Sequence, residues 1–109
     1  MEDFISFCHQ QLGWTSTPNI HISDDHGEAQ FHKSMGYFNP EFNEIWVLRG
    51  SRVRADWYRT LAHELVHHRQ RDRGQQLDGA DGSRIENEAN SLAGVLLREW
   101  GRRNPTIFS

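Results

Sequence analysis

The chain has one cysteine, Cys8, so neither a disulfide framework nor a Cys-rich zinc site can be built within it. Cys8 sits among Phe4, Ile5 and Phe7, and a buried, inert thiol is expected there. A basic excess is also missing. Twelve Lys and Arg stand against 15 Asp and Glu, a formal net charge of -3, which argues against a protein whose main task is gripping nucleic acid. The last third is locally basic through Arg98, Arg102 and Arg103, an ordinary solvated helix face. Met1-Glu2-Asp3 has no positive leader region and no apolar run follows it, so no signal peptide is expected. No apolar stretch approaches the roughly 20 residues that span a bilayer. A cytoplasmic protein without a membrane partner is expected. There are no internal repeats and no low-complexity segments.

What remains is a chain of 109 residues, 36% hydrophobic and 25% charged, with four Trp and six Phe. That is enough for one globular domain over 1–109, built on a modest core of large side chains. Phe4, Cys8 and Leu12 recur at helical spacing, and Gly13 offers a stop, so residues 2–13 are expected to form a helix. Asn19 to Ser23 reads as a weak strand, Asp24 to Lys33 as a polar loop, and Gly36-Tyr37-Phe38 as a short strand. Glu44 to Arg49, with Ile45, Trp46, Val47 and Leu48, is the clearest strand. Strands this close in sequence suggest a small, mainly antiparallel sheet. From about Arg54 an apolar stripe of Tyr58, Leu61, Ala62, Leu65 and Val66 marks a helix ending near Gly74. Residues 74–82 read as a loop. A last helix is expected from Ser83 to Trp100, with Gly101 as its stop. The fold class is α+β.

The chemistry lies in the helix after Arg54. His63-Glu64-Leu65-Val66-His67 is an HExxH sequence. Residues four apart on a helix point the same way. Two imidazoles so placed can reach one ion at a Zn–N distance of roughly 2.0–2.1 Å. Glu64 lies about 100° around the helix from His63, so it can reach a metal-bound water without being a ligand. His63, His67 and Thr60 lie nearly opposite the apolar stripe. One side of the helix can therefore pack on a sheet while the other faces a cleft.

A catalytic zinc site normally has three protein ligands and one water. The residues after His67 are His68, Arg69, Gln70 and Arg71. They supply no third ligand, and His68 points away from His63 and is expected to be exposed. The last helix offers Glu86 and Glu88. By helical-wheel counting Glu86 lies about 60–70° from the centre of the Ile85, Ala89, Leu92, Leu96 stripe, and Glu88 about 90–100° off on the other flank. Glu86 shares its side with Ala89, Asn90 and Ala93, small residues that let another helix approach, and is preferred as ligand. Against this, Ser83-Arg84-Ile85-Glu86 is also a capping-box sequence, which would turn the Glu86 carboxyl back to the Ser83 amide. Asn90 is placed to orient a ligand. His9, His21, His26 and His32 have no ligand spacing, and Asp78 to Gly82 does not fit a calcium loop.

Thr60-Leu61-Ala62-His63-Glu64-Leu65-Val66-His67-His68, followed by Glu86-Asn87-Glu88-Ala89-Asn90-Ser91-Leu92-Ala93, resembles the gluzincin class of zinc metallopeptidases. The ExxAN ending is similar to small peptidases of the ImmA/IrrE kind. The stretch 60–105 resembles small zincin-like proteins encoded by tailed bacteriophages, which would place the protein in the host cytoplasm or the virion. The resemblance implies a minimal zincin fold: an N-terminal helix, a small twisted sheet, an active-site helix and a ligand helix. It implies zinc held by His63, His67 and Glu86, with Glu64 as general base and a peptide or protein as substrate. It also implies a cleft beside an edge strand near Gly36-Tyr37-Phe38 or Glu44 to Leu48. The helix-turn-helix partner common beside ImmA-type peptidases is not found, so a repressor-cleaving role is not expected. The rival expectation is a non-catalytic zinc-binding phage structural or host-interaction protein that kept the fold. An intact Glu64 speaks against that rival.

Overall fold

A computed structural model describes residues 1–75 and 83–108. The chain runs α1 (Glu2–Leu12), β1 (Asn19–Ser23), α2 (His26–His32), β2 (Gly36–Asn39), β3 (Glu44–Leu48), α3 (Arg54–Asp72) and α4 (Arg84–Arg103). A short 3-10 turn, Pro105–Phe108, follows. The architecture is mixed α+β. The loop expected over 74–82, with the Asp78 to Gly82 turn, lies outside the described residues from position 76 on.

α1 begins with Glu2 and Asp3 in its first turn, where carboxylates favour the positive end of the helix. Gly13 ends it at φ +68°, a conformation that favours glycine, with its N–H donated to the His9 carbonyl at 2.8 Å. α2 corrects the expected loop over 24–33. Asp25 caps it by accepting from the Gly27 and Glu28 amides.

The sheet is mixed rather than mainly antiparallel. The strand order is β1-β3-β2. β2 pairs antiparallel with β3, from Gly36 opposite Val47 to Asn39 opposite Glu44. A tight turn ending in Asn43 at φ +51° joins them, and a turn this short leaves no other direction. β1 pairs parallel with β3, Asn19 opposite Glu44 through Ser23 opposite Leu48. The chain between them is long enough to carry α2 and β2, so it can cross over. β3 is thus central and covered on both faces, which explains its unbroken apolar run. Ile45 and Val47 enter the main core. On β3's other side Trp46 stacks on Tyr37 and donates its indole N–H to Glu28 of α2.

α3 is the hub of the molecule. It packs on α4, β2, β3 and α1. Leu61, Ala62, Leu65 and Val66 are fully buried, as their spacing indicated. Truncating Leu61 or Leu65 to alanine costs roughly 2–5 kcal/mol at such sites. His68 was expected at the surface, yet it is 1% exposed. The Trp14 and Phe38 rings pack nearly perpendicular to it. α4 runs past Gly101, the expected stop, to Arg103. Gly101 instead receives the Phe108 ring where a Cβ would stand.

Candidate metal centre

α3 and the first turn of α4 bring three donors together. His63 and His67, one helical turn apart, hold their rings nearly perpendicular, with Nε2 atoms 3.1 Å apart. Glu86 reaches across with both oxygens: Oε1 lies 3.2 Å from His63 Nε2 and Oε2 2.9 Å from His67 Nε2. The three side chains form a group that could hold a metal ion. Ala89 and Ala93, fully buried on α4, permit the close approach of the helices that this reach requires.

Glu86 keeps half of the capping box. Its amide donates to the Ser83 hydroxyl at 3.1 Å. Its carboxylate leaves the cap and goes to the histidines. Glu88 goes elsewhere, accepting from Gln70 Nε2 at 2.8 Å.

Gln70 is the residue that the sequence did not single out. It is fully buried. Its amide nitrogen donates to the Ile85 carbonyl and to Glu88, so its oxygen must face His67 Nδ1, 2.8 Å away. His67 therefore carries its proton on Nδ1, an assignment made from the hydrogen-bond network. That leaves the Nε2 lone pair directed at the centre, the arrangement by which an outer partner orients a ligating histidine. The only signal in the sequence was the spacing of three residues from His67. Asn90, expected to orient a ligand, hydrogen-bonds to His63. His63 is held below the usual histidine range by burial and by neighbouring His67, with Glu86 partly opposing. A neutral imidazole is the form that binds metal.

These donors fit a cation. With the His67 proton on Nδ1, its Nε2 lone pair and a Glu86 oxygen face each other at 2.9 Å. Lone pairs so close call for a positive charge between them, which a proton or a metal ion can supply. Two imidazoles and a carboxylate are also a donor set that zinc takes.

Glu64 faces the same space without joining the three. It is 7% exposed, and among the described residues no group hydrogen-bonds its carboxyl. Burial, then the Glu86 charge, pushes it up to about 8. A cleft of about 250 Å³ opens beside it, with Ser34, Gly36, Arg59, Thr60 and Asn90 among its walls. Gly36 suits this wall, because a Cβ there would lie 2.5 Å from Thr60 Cγ2 and 3.2 Å from the Trp46 carbonyl oxygen. Of the two strands expected beside the cleft, β3 is central and β2 is the edge. Ser34 Oγ donates to the Gly36 carbonyl and accepts from its amide, which caps the start of that edge.

Among the described residues no further histidine joins this group. His9 stacks on Trp14, and His26 lies against Gly50. Among the described residues no helix is long and apolar enough to cross a membrane. Comparison of the chain with protein-family models, with curated proteins and with solved structures finds no match.

Proposed function

We propose that the protein is a zinc-dependent peptide hydrolase of the gluzincin type, with a minimal zincin fold. The carrying observation is the convergence of His63, His67 and Glu86 within hydrogen-bonding distance of one another, with a buried, unpartnered Glu64 on the adjoining cleft wall. The order of elements supports the same reading: a helix, a small sheet, the HExxH helix and the ligand helix.

A zinc ion held by the three side chains would supply a water of pKa about 7 and polarise the scissile carbonyl. The chain's own residues do the rest. Glu64 accepts a proton from water in the cleft and passes it to the leaving amine. With a divalent ion bound at the three side chains, Glu64 would be drawn towards the carboxylate that a base must be. Gln70 and Asn90 hold the histidines in place. β2, an edge strand of the sheet, is the strand with which an extended peptide would pair, beyond the Ser34 cap.

The test is metal content followed by turnover. Purified protein should carry zinc, and His63→Ala should lose it. Glu64→Gln should keep the metal and lose hydrolysis by about 100-fold or more. A wild type that takes up no zinc, or full activity in Glu64→Gln, overturns the reading.

A further inference from the structure

We propose that Arg59 selects the substrate at this cleft by taking a peptide carboxylate, an inference that rests on the hydrolase reading above. Arg59 stands one helical turn before His63 on α3, so both face the same side. It is the cationic side chain of the cleft wall.

Glu64 apart, the other polar groups of that wall are engaged. Thr60 Oγ1 donates to the Asp56 carbonyl and accepts from Arg52. Ser34 Oγ both donates to and accepts from Gly36. Asn90 is bound to His63. Apart from Glu64, the base of the hydrolase reading, Arg59 alone among the wall's polar side chains has no hydrogen bond or ion pair to any described residue. Other arginines show what a structural guanidinium does here. Arg49 is held by Asp24, Arg52 by the Leu48 carbonyl and Thr60, and Arg73 by the Leu12 carbonyl.

α4 has no carboxylate to give Arg59. Its acids near the contact, Glu86 and Glu88, are committed to the histidines and to Gln70. Where the guanidinium reaches α4 it meets Gly94, with Nη2 3.5 Å from the place of a Cβ. A planar fork of donors, facing a cleft and lacking an acceptor among the described residues, matches a carboxylate in two-point contact. That carboxylate can be an acidic side chain or a free C-terminus.

Labelled peptides binding to zinc-loaded Glu64→Gln protein give the test, since this variant should bind without cutting. Three peptides share one sequence. The first has an internal Glu and an amidated end, the second has Gln instead, and the third has Gln with a free C-terminus. Either carboxylate peptide, or both, should bind about tenfold more tightly than the Gln amide, and the pattern identifies the source. Arg59→Gln should remove the difference, Arg59→Lys should keep part of it, and Arg59→Glu should reverse it. These are surface changes, so circular dichroism should stay unchanged. Equal binding of all three peptides, or a difference that survives Arg59→Gln, overturns the inference. Cleavage by wild type with no preference overturns it while leaving the hydrolase reading intact. No binding by any peptide counts against both.

Discussion

His67 and His68 are neighbours on one helix, both buried, and the two sides of α3 treat them differently. On the site side each polar atom of His67 has an assigned task. Gln70 takes Nδ1–H, and Ile85 and Glu88 take Gln70. About 100° further round the helix, His68 is packed against the Trp14 and Phe38 rings, both nearly perpendicular to it. Its Nε2 lies 3.4 Å from Ser16 Oγ, and its buried Nδ1 has no partner among the described residues. One histidine is aimed by hydrogen bonds, the other held by shape. A hydrogen-bond network fixes a tautomer and therefore a lone pair, which metal binding requires. Aromatic packing fixes only a position, which is enough for a core.

The largest test of this contrast removes the acceptor of the centre. Glu86→Gln should lower bound zinc to near zero by elemental analysis, while Glu88→Gln should leave it nearly stoichiometric, because Glu88 anchors Gln70 and does not face the histidines. If both variants lose zinc equally, the separation between ligand and support is wrong.

Next comes the support itself. Gln70→Leu should weaken zinc affinity roughly 10- to 100-fold in competition with a chelator, the usual size of an outer-partner effect. His68→Phe should leave affinity unchanged. It also removes a buried polar atom without a partner, a defect worth about 1–3 kcal/mol, so its thermal midpoint should hold or rise. His68→Ala, by contrast, should cost roughly 2–4 kcal/mol in denaturant unfolding through the space it opens. A His68→Phe protein that binds zinc as poorly as Gln70→Leu would erase the distinction.

The same contrast explains what could be read from the sequence. α3 and α4 were legible because their apolar residues repeat at helical spacing, and the direction of Glu86 followed from the same wheel. α2 was not, because the Asp24 to Lys33 stretch has little apolar periodicity. Its fold depends on the Asp25 cap and on Glu28 reaching Trp46. The parallel pairing of β1 was hidden because strand direction is set by a crossover, not by local pattern. His68 looked exposed because what covers it, Trp14 and Phe38, comes from distant parts of the chain. Gln70 gave no local sign, since its partners Ile85 and Glu88 lie on another helix.

The smallest effect belongs to the far end of the His68 side. Asp72, in the last turn of α3, fastens the helix to the turn after α1. It accepts from the Thr15 amide at 2.8 Å, from the Thr15 hydroxyl, and from Ser16. These contacts, the Thr15 amide foremost, pull its carboxyl down to about 2. A native pKa below the unfolded value means stability is fully present above about 3.8 and is lost as pH falls through about 2. Thermal midpoints measured between pH 5 and 2 should therefore fall for wild type, and fall less steeply for Asp72→Asn. Zinc affinity at neutral pH should be the same in both proteins. The Asp72 clamp touches Ser16, and Ser16 touches His68, so a change in zinc binding on removing it would mean that the two sides of α3 communicate. Identical zinc curves with different acid limbs would show that the helix carries a site on one face and only a fastening on the other.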